Sequence, residues 1–480
     1  MTRPELKGDL TRGPILKTLL AFSLPTLLSN MLQSINGTAN AIWVGQLIGE
    51  DAVAATANAN IVMFLVFSAA FGFGMAGTVR IGQRYGAGDV DGARRTFGTV
   101  VTLCAAVGAL VALLGWIFAP AMLAALETPG SAYALALAYL RVIFVSMPFG
   151  IVTIVVAMSL RGTGDARTPL IFMILSVVLD VVLNPMLITG LGPLPEMGIA
   201  GAAASTLLAN LVSLVAMIAY IYRKDLPLRL RESEFAYLRP RRDELGFIFA
   251  KGLPMGAQML VMSAAGIIVV GLVNREGLVA ASAYGGAMQL FTYVQMPAMA
   301  VGAAVSAMAA QYIGAGRMDR LDRVTRAGSL LNLALTGVMT ALVLVFDRQS
   351  LGLFLTPGGE ALELARHIQF MAAWSFILLG VTMVYTGTLR AGGIVWRPLA
   401  IMFIALYPAR LGFYYLAYPR IGADAIWLTY PVGSLVALVL ALSLYRFGNW
   451  RTKAQAVAGG LAAEQASAEC EPTGRAQPAI

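Results

Sequence analysis

One carboxyl group stands apart in this sequence. Asp180 lies in the run Ile174-Leu175-Ser176-Val177-Val178-Leu179-Asp180-Val181-Val182-Leu183-Asn184, and no other acidic residue sits so deep in an apolar segment. An ionised aspartate at mid-bilayer costs about 2.5–3.5 kcal/mol on insertion scales, so it is expected to face a cavity and to be functional. Reached by water from one side at a time, such a carboxyl can carry a proton. Its other reading is structural, as a group that ties helix ends together by hydrogen bonds. Asn184 follows one turn later on the same face. Gln33, Asn36 and Asn40 fall at i, i+3 and i+7 and form a polar stripe. The stripe reads either as the lining of a pocket around Asp180 or as interhelical glue, worth about 0.6–2 kcal/mol per bond. Arg410 is the one basic residue well inside an apolar run. It could bind an anionic substrate group, pair across a cleft, or snorkel to an interface beside Tyr414, Tyr415 and Tyr418.

The elements that must position these residues follow from composition. The chain has 480 residues, 58% hydrophobic and only 12% charged, against about 25% charged in a soluble domain. Apolar runs long enough to cross roughly 30 Å of hydrocarbon recur from end to end. They are continuous rather than alternating, which selects transmembrane helices over a barrel. Twelve spans are expected, at 15–46, 53–79, 93–118, 133–159, 169–189, 199–222, 244–272, 279–312, 327–346, 368–388, 398–418 and 425–447.

With these spans, 28 of the 34 Lys and Arg residues fall on one side. The positive-inside rule then places both termini in the cytoplasm. The net charge of +9 is thus a matter of orientation, and nucleic acid is not expected as a partner. Cys104 and Cys470 imply no disulfide framework. The single histidine, His367, has no catalytic partner in view, so an enzyme is not expected. Gly72-Phe73-Gly74-Met75-Ala76-Gly77 spells a dinucleotide fingerprint but lies inside an apolar run, where close helix packing explains it.

The chain is also duplicated. Ala21-Phe22-Ser23-Leu24-Pro25 is echoed by Ala250-Lys251-Gly252-Leu253-Pro254 at a shift of 229, and Val53-Ala54-Ala55-Thr56-Ala57 by Val279-Ala280-Ala281-Ser282-Ala283 at 226. Gln83, Gly86, Ala87 and Gly88 match Gln311, Gly314, Ala315 and Gly316 at 228, and Leu160-Arg161-Gly162-Thr163-Gly164 matches Leu389-Arg390-Ala391-Gly392-Gly393 at 229. Each half holds an even number of spans, so the halves share one orientation and their symmetry axis runs along the membrane normal. The expected fold is all-α integral membrane. Two parallel-repeat six-helix bundles, an N-lobe at 1–222 and a C-lobe at 244–447, surround a central cleft. A cytoplasmic linker at 223–243 joins them, and a disordered cytoplasmic tail follows at 448–480. Pro25 and Pro254, at matching places in the lobes, read as hinges or as simple helix kinks. Rocking such lobes gives a secondary transporter.

The repeat anchors also carry a family resemblance. Pro25, Gln33 and Trp43-Val44-Gly45, then Gln83-x-Tyr85-Gly86-Ala87-Gly88, Arg161-Gly162-Thr163-Gly164-Asp165-x-Arg167-Thr168-Pro169 and Gly198-x-Ala200-Gly201-Ala202-Ala203 resemble the multidrug and toxic compound extrusion (MATE) transporters. The resemblance covers nearly the whole chain. It implies export of amphiphilic, often cationic, organic compounds driven by H+ or Na+, without a cofactor, by a monomer in the bacterial inner membrane. It also implies that Thr206 lines the N-lobe cavity. The chain departs from the family pattern in three places. Asn40 stands where members commonly carry Asp, Asp180 precedes Asn184 where the family often has the reverse order, and Met262 and Leu379 stand where some members place C-lobe carboxylates. The proton is favoured over sodium as the coupling ion. A flippase for lipid-linked precursors, on a related fold, is the competing function.

Overall fold

The apolar runs stop before the helices do. The computed structural model describes residues 8–125, 130–191, 195–356 and 358–470. The first half comprises α1 (Ile15–Leu47), α2 (Glu50–Ala87), α3 (Val90–Ala125), α4 (Gly130–Gly162), α5 (Arg167–Thr189) and α6 (Ile199–Arg223). The second comprises α7 (Arg242–Arg275), α8 (Leu278–Gly314), α9 (Met318–Val345), the short α10 (Asp347–Leu351), α11 (Glu360–Ala372), α12 (Trp374–Ala391), α13 (Trp396–Ile404), α14 (Arg410–Ile421) and α15 (Asp424–Phe447). A last helix, α16, spans Trp450–Cys470. Arg80 and Arg84, expected in a loop, lie on the last turns of α2, and Arg320, Arg323 and Arg326 lie on the first turns of α9. Hydropathy marks only where hydrocarbon ends. The backbone hydrogen-bond ladder continues past it wherever neighbouring helices offer packing.

Among the described residues, ten helical runs are long and apolar enough to cross a membrane, and α11 with α12, bent by 40°, makes an eleventh. Counting α2, each of the twelve expected spans has its helical passage. The tenth is thus a bent pair. The eleventh is α13 and α14 joined through a π-helical turn at Ala405–Ala409, which contains Pro408. Proline has no N–H to donate, and the wider turn is one way a helix passes it. Pro25 and Pro254 lie inside α1 and α7, which run on without a break.

The repeat is visible in the turns. Gly49 and Gly277 precede α2 and α8 with φ of 117° and 100°, and Gly164 and Gly393 have φ of 89° and 77°. A side chain is strained in that left-handed region, which accounts for glycine at both copies of each turn.

The tail departs from expectation, and the linker carries structure of its own. It holds a 3₁₀ helix, Glu232–Leu238, anchored on α3 by Arg94 to Glu234 (2.8 Å) and by Tyr237 Oη donating to Asp91 (2.7 Å). The tail is not disordered up to Cys470, although 471–480 lie outside the described residues. Its Ala, Gln and Glu content hides an apolar stripe, Trp450, Ala454, Val457 and Leu461, at helical spacing. Trp450 is fully buried among Met308, Tyr312 and Leu389, and its Nε1 donates to Tyr445 O at 2.6 Å. We predict that Trp450→Ala lowers stability by about 3–5 kcal/mol, read as a lower thermal unfolding midpoint of the purified protein.

The halves meet at the end that carries the arginines. Here α2 packs on α7 and α8, and α1 on α8. Gln83 Nε2 donates to Ala391 O (2.7 Å), and Gln311 Nε2 donates to Gly162 O (3.0 Å). Donors and acceptors alike are repeat mates, so this is one contact made twice. Gly86 and Gly314 lie against the backbone of Gln311 and Gln83, where a Cβ would overlap main-chain atoms. Arg84 pairs with Glu244 of α7 (2.6 Å) and with Glu464 of α16 (3.0 Å), so α16 reaches back from the second half to the first. Among the described residues, every hydrogen bond and ion pair between the halves lies at this basic end.

Candidate functional site

Asp180 sits on α5, where that helix packs between α1 and α6, and is 3% exposed. Burying a carboxyl in a membrane bundle is tolerable only when its oxygens are partnered, and here both are. Asn36 Nδ2 of α1 donates to Oδ2 at 2.9 Å, and Ser205 Oγ of α6 lies 2.6 Å from Oδ1. Thr206 Oγ1 lies 3.2 and 3.3 Å from the two oxygens. Both hydroxyls also lie against Ala202 O, Ser205 at 2.8 Å and Thr206 at 3.3 Å. A hydroxyl has one proton to donate, so each of them can face either the carboxyl or the backbone.

One turn along, Asn184 Nδ2 donates to Asn40 Oδ1 at 2.7 Å, and Asn40 also faces the Tyr139 hydroxyl of α4. Asn184 Oδ1 is buried and has no partner among the described residues. An orphaned acceptor next to the carboxyl is a place where a ligand donor can be received.

The structure therefore brings together Asn36, Asn40, Asp180, Asn184 and Thr206 from the expected set. Gln33 lies on an exposed face of α1 and makes no side-chain hydrogen bond among the described residues. Arg410 is elsewhere. It follows the π turn in the second half, is 6% exposed, and stacks over the Tyr430 ring at 4.1 Å, with Thr429 Oγ1 3.5 Å away. It neither snorkels outward nor pairs with an acid among the described residues. Tyr430 supplies the face of its ring to the guanidinium, and Gly433 leaves room for the arginine stem.

Sequence reasoning missed Ser205 and Tyr139. Ser205 hides among alanines in Ala202-Ala203-Ala204-Ser205-Thr206, and only its place beside Thr206, facing α5, could have pointed to it. Nothing in the sequence around Tyr139 gives a signal. Asn332 was also missed. It is fully buried and donates to Gly380 O (2.9 Å) and Ala298 O (3.3 Å), which ties α9 to α12 and α8. In the second half, no acid is buried at the depth of Asp180 among the described residues. Glu244, the other buried acid, belongs to the ion pairs of the basic end.

Twelve helical passages in two like halves, with one partnered carboxyl deep in the first, define a multi-pass membrane transporter. The MatE family model matches residues 25–186 and again 254–416, two copies offset as the repeat is. The chain belongs to the MatE family. It is 34% identical to the probable multidrug resistance protein YoeA of Bacillus subtilis, over 94% of this chain and 97% of that one. It is 25% identical to the multidrug export protein MepA of Staphylococcus aureus, over 80% of this chain and 83% of that one. A solved structure of the Vibrio cholerae MATE transporter VcmN shares the fold, with a TM-score of 0.83 at 19% identity, covering 90% of this chain and 96% of that one.

Proposed function

We propose that this protein exports amphiphilic, often cationic, organic compounds in exchange for protons, and that Asp180 carries the proton. The observation that bears most on this is the pair of hydroxyls shared between Asp180 and Ala202 O. With Asp180 ionised, Ser205 and Thr206 donate to it. When Asp180 takes a proton, its O–H donates to Ser205 Oγ, and the serine turns its own proton to Ala202 O. Both states keep every group partnered, so the proton can come and go without leaving a buried donor or acceptor unmade. The favoured coupling ion is the proton because the shared hydroxyls let the carboxyl gain and lose one without an unpaired buried group.

The basic end is the cytoplasmic end by the positive-inside rule, which assigns both termini to the cytoplasm. The contacts of Gln83, Gln311 and Arg84 then close the cytoplasmic side, which fits a state open to the outside. In the cycle, Asp180 takes a proton from outside as substrate leaves. The lobes rock about the cleft, with Pro25 and Pro254 as hinge positions, and the proton is released to the cytoplasm as new substrate binds beside Asn40 and Asn184. The working unit is a monomer in the bacterial inner membrane. The names of YoeA and MepA support the substrate class. A flippase would favour a basic cleft, whereas the side chain of Arg410 is buried against Tyr430.

Exchange of one proton for a monovalent cation moves no net charge, so the pH difference drives it, at about 1.4 kcal/mol per unit. The test is dye efflux from vesicles loaded with a cationic dye, under proton and sodium gradients imposed separately. Efflux under the proton gradient alone is expected. Efflux under sodium alone, with none under protons, overturns the reading.

A further inference from the structure

Two cavities at the basic end are repeat mates, and they have diverged in charge. The first, about 330 Å³, lies between α1 and the turn Thr163-Gly164-Asp165-Ala166-Arg167 and is also lined by Gly8, Leu10 and the linker's Pro227. The second, about 310 Å³, lies between α7 and the matching turn, Gly392 to Arg397, and is flanked by Lys453 and Val457 of α16. Where the first has Phe22, the second has Lys251, again at a shift of 229. Where the first has Asp165, whose carboxylate caps the start of α5, the second has Ile394.

The second cavity thus gathers Lys251, Arg397 and Lys453 with no acid in its lining. None of the three has an ion-pair partner among the described residues; Lys251 Nζ donates instead to Gly393 O at 2.7 Å. Like charges around one space repel, and an anion held among them relieves that repulsion. The rest of the lining is apolar. Ile394 and Val395 are buried beneath, and Trp396 stands 63% exposed at the start of α13. An exposed tryptophan at the end of a span marks the level of lipid headgroups, and basic pockets between spans at that level suit anionic headgroups.

We propose that this cavity binds the phosphodiester headgroup of an anionic membrane lipid, the phosphate held among Lys251, Arg397 and Lys453 and the acyl chains leaving past Trp396. Because Lys453 belongs to α16, whose far end meets Arg84 through Glu464, a bound headgroup also fastens α16 across the two halves.

The test is native mass spectrometry of the purified full chain with phosphatidylglycerol, phosphatidylcholine or inorganic phosphate as probe. Phosphatidylglycerol is expected to be retained in preference to phosphatidylcholine. The double variant Arg397→Gln with Lys453→Gln is expected to weaken that binding about thirtyfold, and each single variant about fivefold. Both side chains are exposed, so the fold should survive, and an unchanged thermal unfolding midpoint checks it. Arg167→Gln, in the other cavity, should leave binding unchanged. Equal retention of the two lipids, or wild-type binding by the double variant, overturns the proposal. So does displacement of the lipid by millimolar inorganic phosphate, which would make this a site for free anions.

Discussion

In the Asp180→Asn variant, a pH gradient no longer concentrates substrate against its own gradient, while the protein still folds and inserts. One proton per cycle across one pH unit is worth about 1.4 kcal/mol, a tenfold concentration ratio of substrate. The variant is expected to lose that whole factor and to run only downhill. The amide should be well tolerated. Its oxygen still accepts from Ser205 and Thr206, and Asn36 can turn its own amide over to meet the new N–H. The measurement is the steady-state dye ratio across energised vesicles, with thermal unfolding and membrane yield as the fold controls. A variant that still concentrates dye tenfold per pH unit removes Asp180 from the coupling step.

Gly86→Val is expected to stop the cycle from the other direction. Gly86 lies with its missing side chain 2.6 Å from the Gln311 Cα position and against the Gln311 carbonyl. Backbone cannot move aside as a flexible side chain can, so α2 and α8 must separate. Overpacking of this kind costs about 1–3 kcal/mol. At the upper end that shifts a two-state equilibrium roughly a hundredfold away from the state closed at the basic end. Spin labels at Arg223→Cys and Arg323→Cys, both exposed at that end on opposite halves, should report longer distances in the variant, and transport should fall to background. An unchanged distance distribution with full transport would show that the glycine contact does not gate the cytoplasmic side.

Much of this was legible in advance, for reasons that differ by residue. The spans were readable because hydrocarbon tolerates so few charges, and the duplication because Gln83 and Gln311, or Gly164 and Gly393, answer the same local demand twice. Asn36, Asn40, Asp180 and Asn184 could be grouped because polar side chains in an apolar run must turn to one another. Ser205 could not, since a serine among alanines costs a membrane helix little and so announces nothing. Arg410 misled because its depth in the sequence was clear but its neighbours were not. A guanidinium can be satisfied in part by a tyrosine ring brought from another helix, and no spacing rule places Tyr430 beneath it. The tail misled for the opposite reason. Its average composition is that of a solvated chain, while four side chains at helical spacing were enough to seat α16, beginning with Trp450.

The most direct test of proton exchange at Asp180 is to count protons. Unbuffered, detergent-solubilised protein is titrated with a cationic dye near neutral pH while a pH indicator follows the solution. The wild type is expected to release protons as dye binds, up to about one per dye, and Asp180→Asn none. Equal release by both proteins, or binding by the wild type with no release at all, would contradict an exchange centred on that carboxyl.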